Sequence, residues 1–321
     1  MNVSLHQVSI VVVTYNRSTY LARLLDSISQ MSIGPTSVIV VDNASQDDTY
    51  NVVTSARTKA FPQGVLHYER LGTNTGGAGG FSRGMELALE GNADWIWVMD
   101  DDVEVLPDSI VKLGSWMPRF KCIQGRRIDA DGTPYFWQNR MINRLGIPWP
   151  GTKEPFSEKS FSSTNVGCFE GMLVHRDIVE QIGLPDPRFF ITWDDTIYGW
   201  LASRYTDVVY INEFLLRRAR PLKSSELGSH QVTAANDLFR FHIMRNRAYV
   251  ARYFQLHGAY NKGLFAFGTL ITFGKEFYRA VVVEGSIRGL RPLLRGLIEG
   301  RRIHRDKTWA PMPGLQKHPV S

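Results

Sequence analysis

Cysteine is nearly absent from this chain. Only Cys122 and Cys168 occur in 321 residues, far apart and without metal-ligand spacing. That excludes a disulfide framework and a cysteine zinc site, and it fits a reducing cytoplasm. Long hydrophobic runs are missing too. The most apolar late stretch, Gly263 to Phe273, is broken by glycine, and a bilayer span needs about 20 apolar residues. The first residues, Met-Asn-Val-Ser-Leu-His-Gln, carry no basic segment, so no signal peptide is expected. The phosphate-loop pattern ending in Gly-Lys-Ser/Thr does not occur. The loop after the first predicted strand reads Thr14-Tyr15-Asn16-Arg17, which is not the glycine fingerprint of a dinucleotide fold. Internal repeats, low-complexity segments and recognised nucleic-acid motifs are also lacking, so no nucleic-acid partner is expected.

What is present describes a globular protein with room for one or two domains: 43% hydrophobic and 21% charged residues. The net charge of +6 is unevenly spread. Beyond Arg240, basic residues interleave with Leu, Ile and Phe, as in Arg288-Gly-Leu-Arg-Pro-Leu-Leu-Arg295. Two readings stay open for such helices: a solvated basic face, and contact with an anionic membrane surface.

Periodicity sets the organisation. Val8–Thr14, Ser37–Val41, Val65–Glu69 and Trp95–Met99 read as strands, the first two as continuous β-branched runs. Tyr20–Gln30, Gln46–Thr58 and Phe81–Glu90 read as the intervening helices. This alternation predicts an α/β fold with a mostly parallel, Rossmann-like sheet flanked by helices. Residues 120–164 are loop-rich and read as an insertion, with room for short antiparallel strands. Gly171–His175 then resumes as a strand, and Arg176–Ile182 and Thr196–Tyr205 as helices. We expect residues 1–234 to form one domain and 235–321 a mainly helical, basic C-terminal region.

In parallel sheets, ligands bind beyond the carboxyl ends of the strands. Thr14–Arg17, Asp42, Asn74 and Asp100–Asp102 all fall at such ends. The last group is the most informative. Three adjacent carboxylates repel one another, and a divalent cation shared among them relieves the repulsion. Mg2+ and Mn2+ favour carboxylate oxygens and often bring a phosphorylated substrate. A solvated acidic turn is the plainer alternative. The stretch Asn74-Thr-Gly-Gly-Ala-Gly-Gly-Phe-Ser-Arg83 offers backbone that can approach a phosphate or sugar closely.

Taken together, Val11-Val-Val-Thr-Tyr-Asn-Arg17, Val41-Asp-Asn-Ala-Ser45, the Asn74 glycine stretch and the Asp100 triplet resemble family 2 inverting glycosyltransferases of the GT-A fold. The resemblance covers roughly the first two thirds of the chain. The glycine stretch and Trp193-Asp194-Asp195 look most like bacterial galactofuranosyltransferases, with rhamnosyltransferases next. It implies a nucleotide-sugar donor, UDP-galactofuranose, with Asp42 on the nucleobase and Thr14, Tyr15 and Arg17 near the nucleotide. Asn74, Gly76, Gly77, Arg83 and Asp101 would also face the donor. Asp100 and Asp102 would hold Mn2+ or Mg2+ against the diphosphate. Inverting transfer needs a base on the acceptor hydroxyl, and Asp195 is the expected base, with Asp194 contacting the acceptor or orienting the site. Simple N-capping of the next helix is the bland alternative for that pair.

Trp137, Trp149 and Trp193 could stack on sugar faces or simply pack in the core, and Trp193 is the one expected against the acceptor. The resemblance also calls for a metal-ligand His about two dozen residues after the Trp-Asp-Asp motif, where this chain reads Asn212-Glu-Phe-Leu-Leu-Arg-Arg-Ala-Arg220. His230 is the substitute expected to complete the metal site; His242 lies further on. Alternatively, Arg217, Arg218 or Arg220 neutralises the diphosphate directly. The implied acceptor is a lipid-linked cell-surface glycan, placing the protein in the cytoplasm at the inner face of the membrane. A dTDP-rhamnose donor, or a silent glycan-binding subunit, are the rival expectations.

Overall fold

The computed structural model describes residues 7–135, 139–150, 156, 159–220, 224–227, 230–233 and 237–315. The first half is a βα alternation: β1 (Val8–Thr14), α1 (Ser18–Ser29), β2 (Ser37–Asp42), α2 (Thr49–Lys59), β3 (Leu66–Arg70), α3 (Gly76–Glu90) and β4 (Trp95–Asp100). There follow β5 (Val103–Val105), α4 (Ser109–Gly114), β6 (Cys122–Ile128), β7 (Pro134–Tyr135), β8 (Asn139–Ile142), β9 (Ile147–Pro150), β10 (Phe161–Thr164) and β11 (Met172–His175). Next come α5 (Arg176–Ile182), α6 (Asp194–Ala202), β12 (Val208–Arg218), and a hairpin of β13 (Ser224–Leu227) and β14 (His230–Thr233). The chain closes with α7 (Asp237–Leu256), α8 (Lys262–Tyr278) and α9 (Leu290–Arg305).

Ten strands form one mixed sheet, with the order β10-β12-β6-β11-β4-β1-β2-β3 and with β5 and β7 paired at its side. β3, β2, β1 and β4 are mutually parallel, while β11 runs antiparallel to both β4 and β6. Helical crossovers make the parallel half. β11 enters from the inserted region without such a crossover and is free to run the other way. Thr14 pairs with Asp42, and Asp42 with Arg70, so the strand ends are level. Successive strands leave β1 in opposite directions, β2 to one side and β4 to the other. That switch point opens a crevice beyond their carboxyl ends.

β1 is buried throughout. Its alternate residues serve two cores. Val11 and Val13 pack with α3, α6 and α7, and Ile10 and Val12 with α1. Val250, Phe254 and Phe265 of the C-terminal helices share the core that contains Val11 and Phe81, so apolar packing is continuous across residue 235.

Two elements depart from the sequence reading. Part of the stretch read as an insertion, Cys122–Ile128, is an internal strand between β11 and β12. The glycine stretch is not a loop but the first turns of α3. A Cβ on Gly80 would lie 2.5 Å from Val13 Cγ1, and one on Gly84 2.3 Å from Val11 Cγ1. These glycines, four apart on one helix face, let α3 lie directly on β1. Gly84→Leu should therefore destabilise the fold by about 1–3 kcal/mol through overpacking, read as a lower thermal midpoint.

Candidate active site

The loop after β1 is tied to the loop after β2. The Asn16 N–H donates to Ser45 Oγ at 2.9 Å, and the Gln46 N–H donates to Asn16 Oδ1 at 2.7 Å. Beneath them, Asp42 is buried. Its Oδ1 accepts the Ser45 N–H at 2.8 Å and its Oδ2 the Tyr68 hydroxyl at 2.6 Å, with Arg70 Nε 3.6 Å away. Burial, and then Asp42, push the Tyr68 phenol up from its ordinary value. Each carboxylate oxygen has a second lone pair, so this anchored Asp42 can still accept a donor's N–H. Tyr15 stands exposed nearby in sequence.

The acid triplet divides its work. Asp101 is buried and faces inward: Thr14 Oγ1 donates to it at 2.7 Å and Arg17 at 3.0 Å. Asp102 pairs with Arg220 at 2.7 Å and Arg17 at 3.3 Å. Arg220 reaches it because the end of β12 pairs with β5 and the Ala219 N–H donates to the Asp102 carbonyl at 2.8 Å. Asp100 is different. Burial, then Asp102, Glu170 and Asp101, raise its pKa well above the usual carboxylate range. No group of three His, Cys, Asp or Glu side chains converges among the described residues. Asp100 and Asp102 nonetheless have the chemistry a divalent cation takes, since their carboxylates act on one another by charge and hard cations favour carboxylate oxygens.

Glu170, missed in the sequence, links this cluster to the next. It pairs with Arg127 at 3.1 Å and Arg218 at 2.9 Å, and both guanidinium groups lie over the Tyr135 ring. Arg127 also acts on Asp195. The Thr196 N–H and hydroxyl donate to Asp195 Oδ1 at 2.6 and 3.1 Å. Asp194 and Asp195 begin α6 rather than preceding it. Burial raises both carboxyls, Asp194 to about 8 and Asp195 to about 6. The order has a cause: Thr196 and Arg127 favour charge on Asp195, whereas at Asp194 burial and the neighbouring Asp195 charge outweigh the backbone N–H groups that favour its ionised form. Asp195 is thus the more readily ionised member of the pair.

The segment before this pair is strained. Phe190, Thr192 and Trp193 all have positive φ, at 64°, 65° and 70°. The wholly buried Asn246 of α7 holds it by sharing its amide N–H groups among the carbonyls of Phe189, Ile191 and Thr192, at 2.8, 2.8 and 3.0 Å. His242 stacks on Phe190, with ring centroids 5.1 Å apart. Burial, then Arg245, lower its pKa to about 4, so it is a neutral packing residue.

Several expected site residues are placed otherwise. Trp193 is turned into the protein, where its indole N–H donates to the Ile243 carbonyl at 3.1 Å and only 9% of it is exposed, so it cannot stack on an acceptor. Arg83 is held in a surface network with Glu69 at 3.0 Å, Glu86 at 2.7 Å and Glu90 at 3.9 Å. Asn74 Oδ1 accepts the Gly76 N–H at 2.8 Å, and Gly76 is covered by Phe190, whose carbonyl would lie 2.1 Å from a Cβ there. Gly77 alone of this group has space, with only the Phe81 ring 4.0 Å from a Cβ. Of the three arginines, Arg220 meets the triplet, Arg218 locks Glu170 and Arg217 is exposed. His230 lies on β14, where side chains fall outside the described residues, and Trp137 lies outside them altogether. Trp149 is exposed on the β8–β9 hairpin. Tyr68 and Asn246 carried no motif by which they could be found, and Asn43 lay within the Val41–Ser45 motif without being singled out. Asn43 accepts from Thr75 and donates to the Gly76 carbonyl at 3.0 Å, joining β2 to α3.

Residues 9–183 match the sequence family described as Glycosyl transferase family 2. The galactofuranosyltransferase GlfT1 of Mycolicibacterium smegmatis is 32% identical over 197 residues, which cover 58% of this chain and 61% of that protein. The N-acetylglucosaminyl-diphospho-decaprenol L-rhamnosyltransferase of Mycobacterium tuberculosis is 27% identical over 59% of this chain and 68% of its own length. Among solved structures, S. aureus TarS 1–349 in complex with UDP-GlcNAc aligns with a TM-score of 0.57 at 13% identity, covering 92% of this chain and 81% of that one. GalNAc-T7, crystallised with UDP, GalNAc and Mn2+, aligns with a TM-score of 0.54 at 15% identity, covering 68% and 45%. These structural likenesses concern the fold, which is GT-A. With more than half of its length matched, the chain belongs to glycosyl transferase family 2 and is a glycosyltransferase.

Proposed function

We propose that this enzyme transfers a sugar with inversion, galactofuranose from UDP-galactofuranose, onto a lipid-linked cell-surface glycan. The observation that carries this reading is the separation of two carboxylate clusters. Asp100–Asp102 lie among arginines suited to a diphosphate, and Asp194–Asp195 lie apart from them at the start of α6.

In this reading Asp42 accepts from the nucleobase. Arg17 and Arg220 lie beside the diphosphate. Asp100 and Asp102 hold Mn2+ or Mg2+, which when bound stabilises charge on the leaving group. Asp195 removes the proton of the acceptor hydroxyl as its oxygen bonds to the anomeric carbon. The bond from that carbon to the diphosphate oxygen breaks on the opposite face, and its electron pair leaves with UDP. Asp194, the more readily protonated neighbour, donates a hydrogen bond within the acceptor site. The galactofuranose donor is supported by the GlfT1 likeness. The rhamnosyltransferase likeness supports a second reading, with dTDP-rhamnose as donor. No helix among the described residues is long and apolar enough to cross a membrane. We place the protein in the cytoplasm, peripheral to the inner face of the membrane.

The test is nucleotide release with Mn2+ and a panel of UDP-galactofuranose, dTDP-rhamnose and UDP-glucose. UDP-galactofuranose should turn over at least tenfold faster than the others. Preference for dTDP-rhamnose would replace the donor assignment, and no turnover with any donor would favour a glycan-binding subunit.

A further inference from the structure

Among the described residues, twelve of the nineteen exposed large hydrophobic side chains lie at or beyond Leu256. Most belong to α8. Leu264, Phe267, Leu270, Ile271, Phe277 and Tyr278 are 38–64% exposed. At 3.6 residues per turn they fall within an arc about 140° wide, along a helix roughly 25 Å long. The opposite face of α8, with Phe265, Gly268, Thr272 and Glu276, is the one buried against the protein. A surface helix ordinarily turns polar residues outward. Here the outward face is the apolar one, and the inward face carries Thr272 and Glu276. The only acid of α8, Glu276, is buried and accepts both its bonds from Arg279, at 2.7 and 2.8 Å. The apolar surface continues into Val282, Val283 and Ile287.

Charge says what covers it. Residues 262–307 contain ten Lys and Arg against four Asp and Glu, a net +6 that equals the net charge of the entire chain. On α9 the exposed stripe is Arg291, Leu294, Arg295, Ile298, Arg301 and Arg302, within about 120° of arc. A second copy of this chain would bring like charge to like charge across a two-fold contact. An anionic bilayer offers apolar depth for α8 and phosphate charge for the arginines.

We infer that α8 is an interfacial anchor: its exposed stripe enters the headgroup–acyl boundary of an anionic membrane, and the arginines of α9 bind the lipid phosphates. This deepens the peripheral-membrane reading above and rests on it, but it does not depend on the sugar chemistry.

The full-length protein should co-sediment with phosphatidylglycerol-containing vesicles, and less with pure phosphatidylcholine. The double variant F267D/L270D should bind at least tenfold more weakly at any salt concentration. Arg291→Ser with Arg301→Ser should weaken binding roughly tenfold at low salt and little at high salt, as screening predicts. Both variants should keep the wild-type rate of nucleotide release without vesicles, so a wrong donor or base assignment shows itself separately. Undiminished vesicle binding by F267D/L270D overturns the anchor. So does a wild-type dimer that fails to sediment with vesicles and becomes monomeric in that variant, since a second copy would then be the occupant.

Discussion

Asp195→Asn should reduce transfer by about 10²–10⁴-fold while leaving donor affinity nearly unchanged. Asparagine keeps the shape and the bonds from Thr196 but cannot take up the acceptor proton. The donor contacts proposed at Asp42, Arg17 and Arg220 lie on other elements. The pH profile sharpens the expectation. Burial lifts Asp195 to about 6, and only the ionised form is a base, so the wild-type rate should fall as pH drops through about 6. Asp195→Asn should lose that limb. The companion substitution Asp194→Asn bears on stability, and its sign is opposite to that of an ordinary surface acid. A carboxyl whose folded pKa is raised is most comfortable protonated, so its contribution is present at low pH and lost as pH rises through the folded value. Asp194→Asn should therefore raise the thermal midpoint at pH 8 and leave it unchanged near pH 3. Transfer by Asp195→Asn at a wild-type rate would mean that the base lies elsewhere.

Asn246→Ala should destabilise the protein by about 2–4 kcal/mol, because the carbonyls of Ile191 and Thr192 lose their donor at once, while that of Phe189 keeps the Ile191 N–H and Arg245. It should also lower kcat by roughly 10–100-fold with little change in donor KM. The three residues with positive φ ahead of Asp194 store backbone strain, of order 1–3 kcal/mol each, that packing against α7 must overcome. Without the amide, the segment relaxes and the start of α6 moves. The site at Asp42 and the triplet is built on β1, β2 and β4 and should keep its geometry. Thermal denaturation gives the first effect. Steady-state kinetics well below the variant's midpoint gives the second. An unstable variant with wild-type kcat would reduce Asn246 to a packing role.

The residues legible in advance were those whose signal is local. β-branched runs and helical spacing marked β1 to β4 and α1, because burial of one strand or one helix stripe is written in its own period. The triplet drew attention because three adjacent carboxylates are a chemical oddity wherever they stand. Trp193 was misplaced because an indole beside a reactive acid looks the same in sequence whether it turns out or in. Its direction is set by the left-handed backbone at 193 and by the Ile243 carbonyl on α7. The glycines at 76 and 80 belonged to a stretch read as able to approach a phosphate or sugar, and the difference lies in what a Cβ there would strike: Phe190 and Val13. Cys122–Ile128 carries Gln124, Arg126 and Arg127, and these polar residues hid an internal strand whose charges are met by distant partners.

By itself the sequence determined a βα alternation, acids at the strand ends, and the family to which those motifs belong, since each depends on neighbours within a turn or a strand. The tertiary structure alone decided which cation answers which acid. Arg17 meets Asp101 across 84 residues, Glu170 meets Arg218 across 48, and Asn246 holds the Ile191 carbonyl from 55 residues away. The same packing decided that α8 shows its apolar stripe to the outside, because Glu276 and Thr272 find polar partners inside and the sequence alone would have turned the apolar stripe to the core.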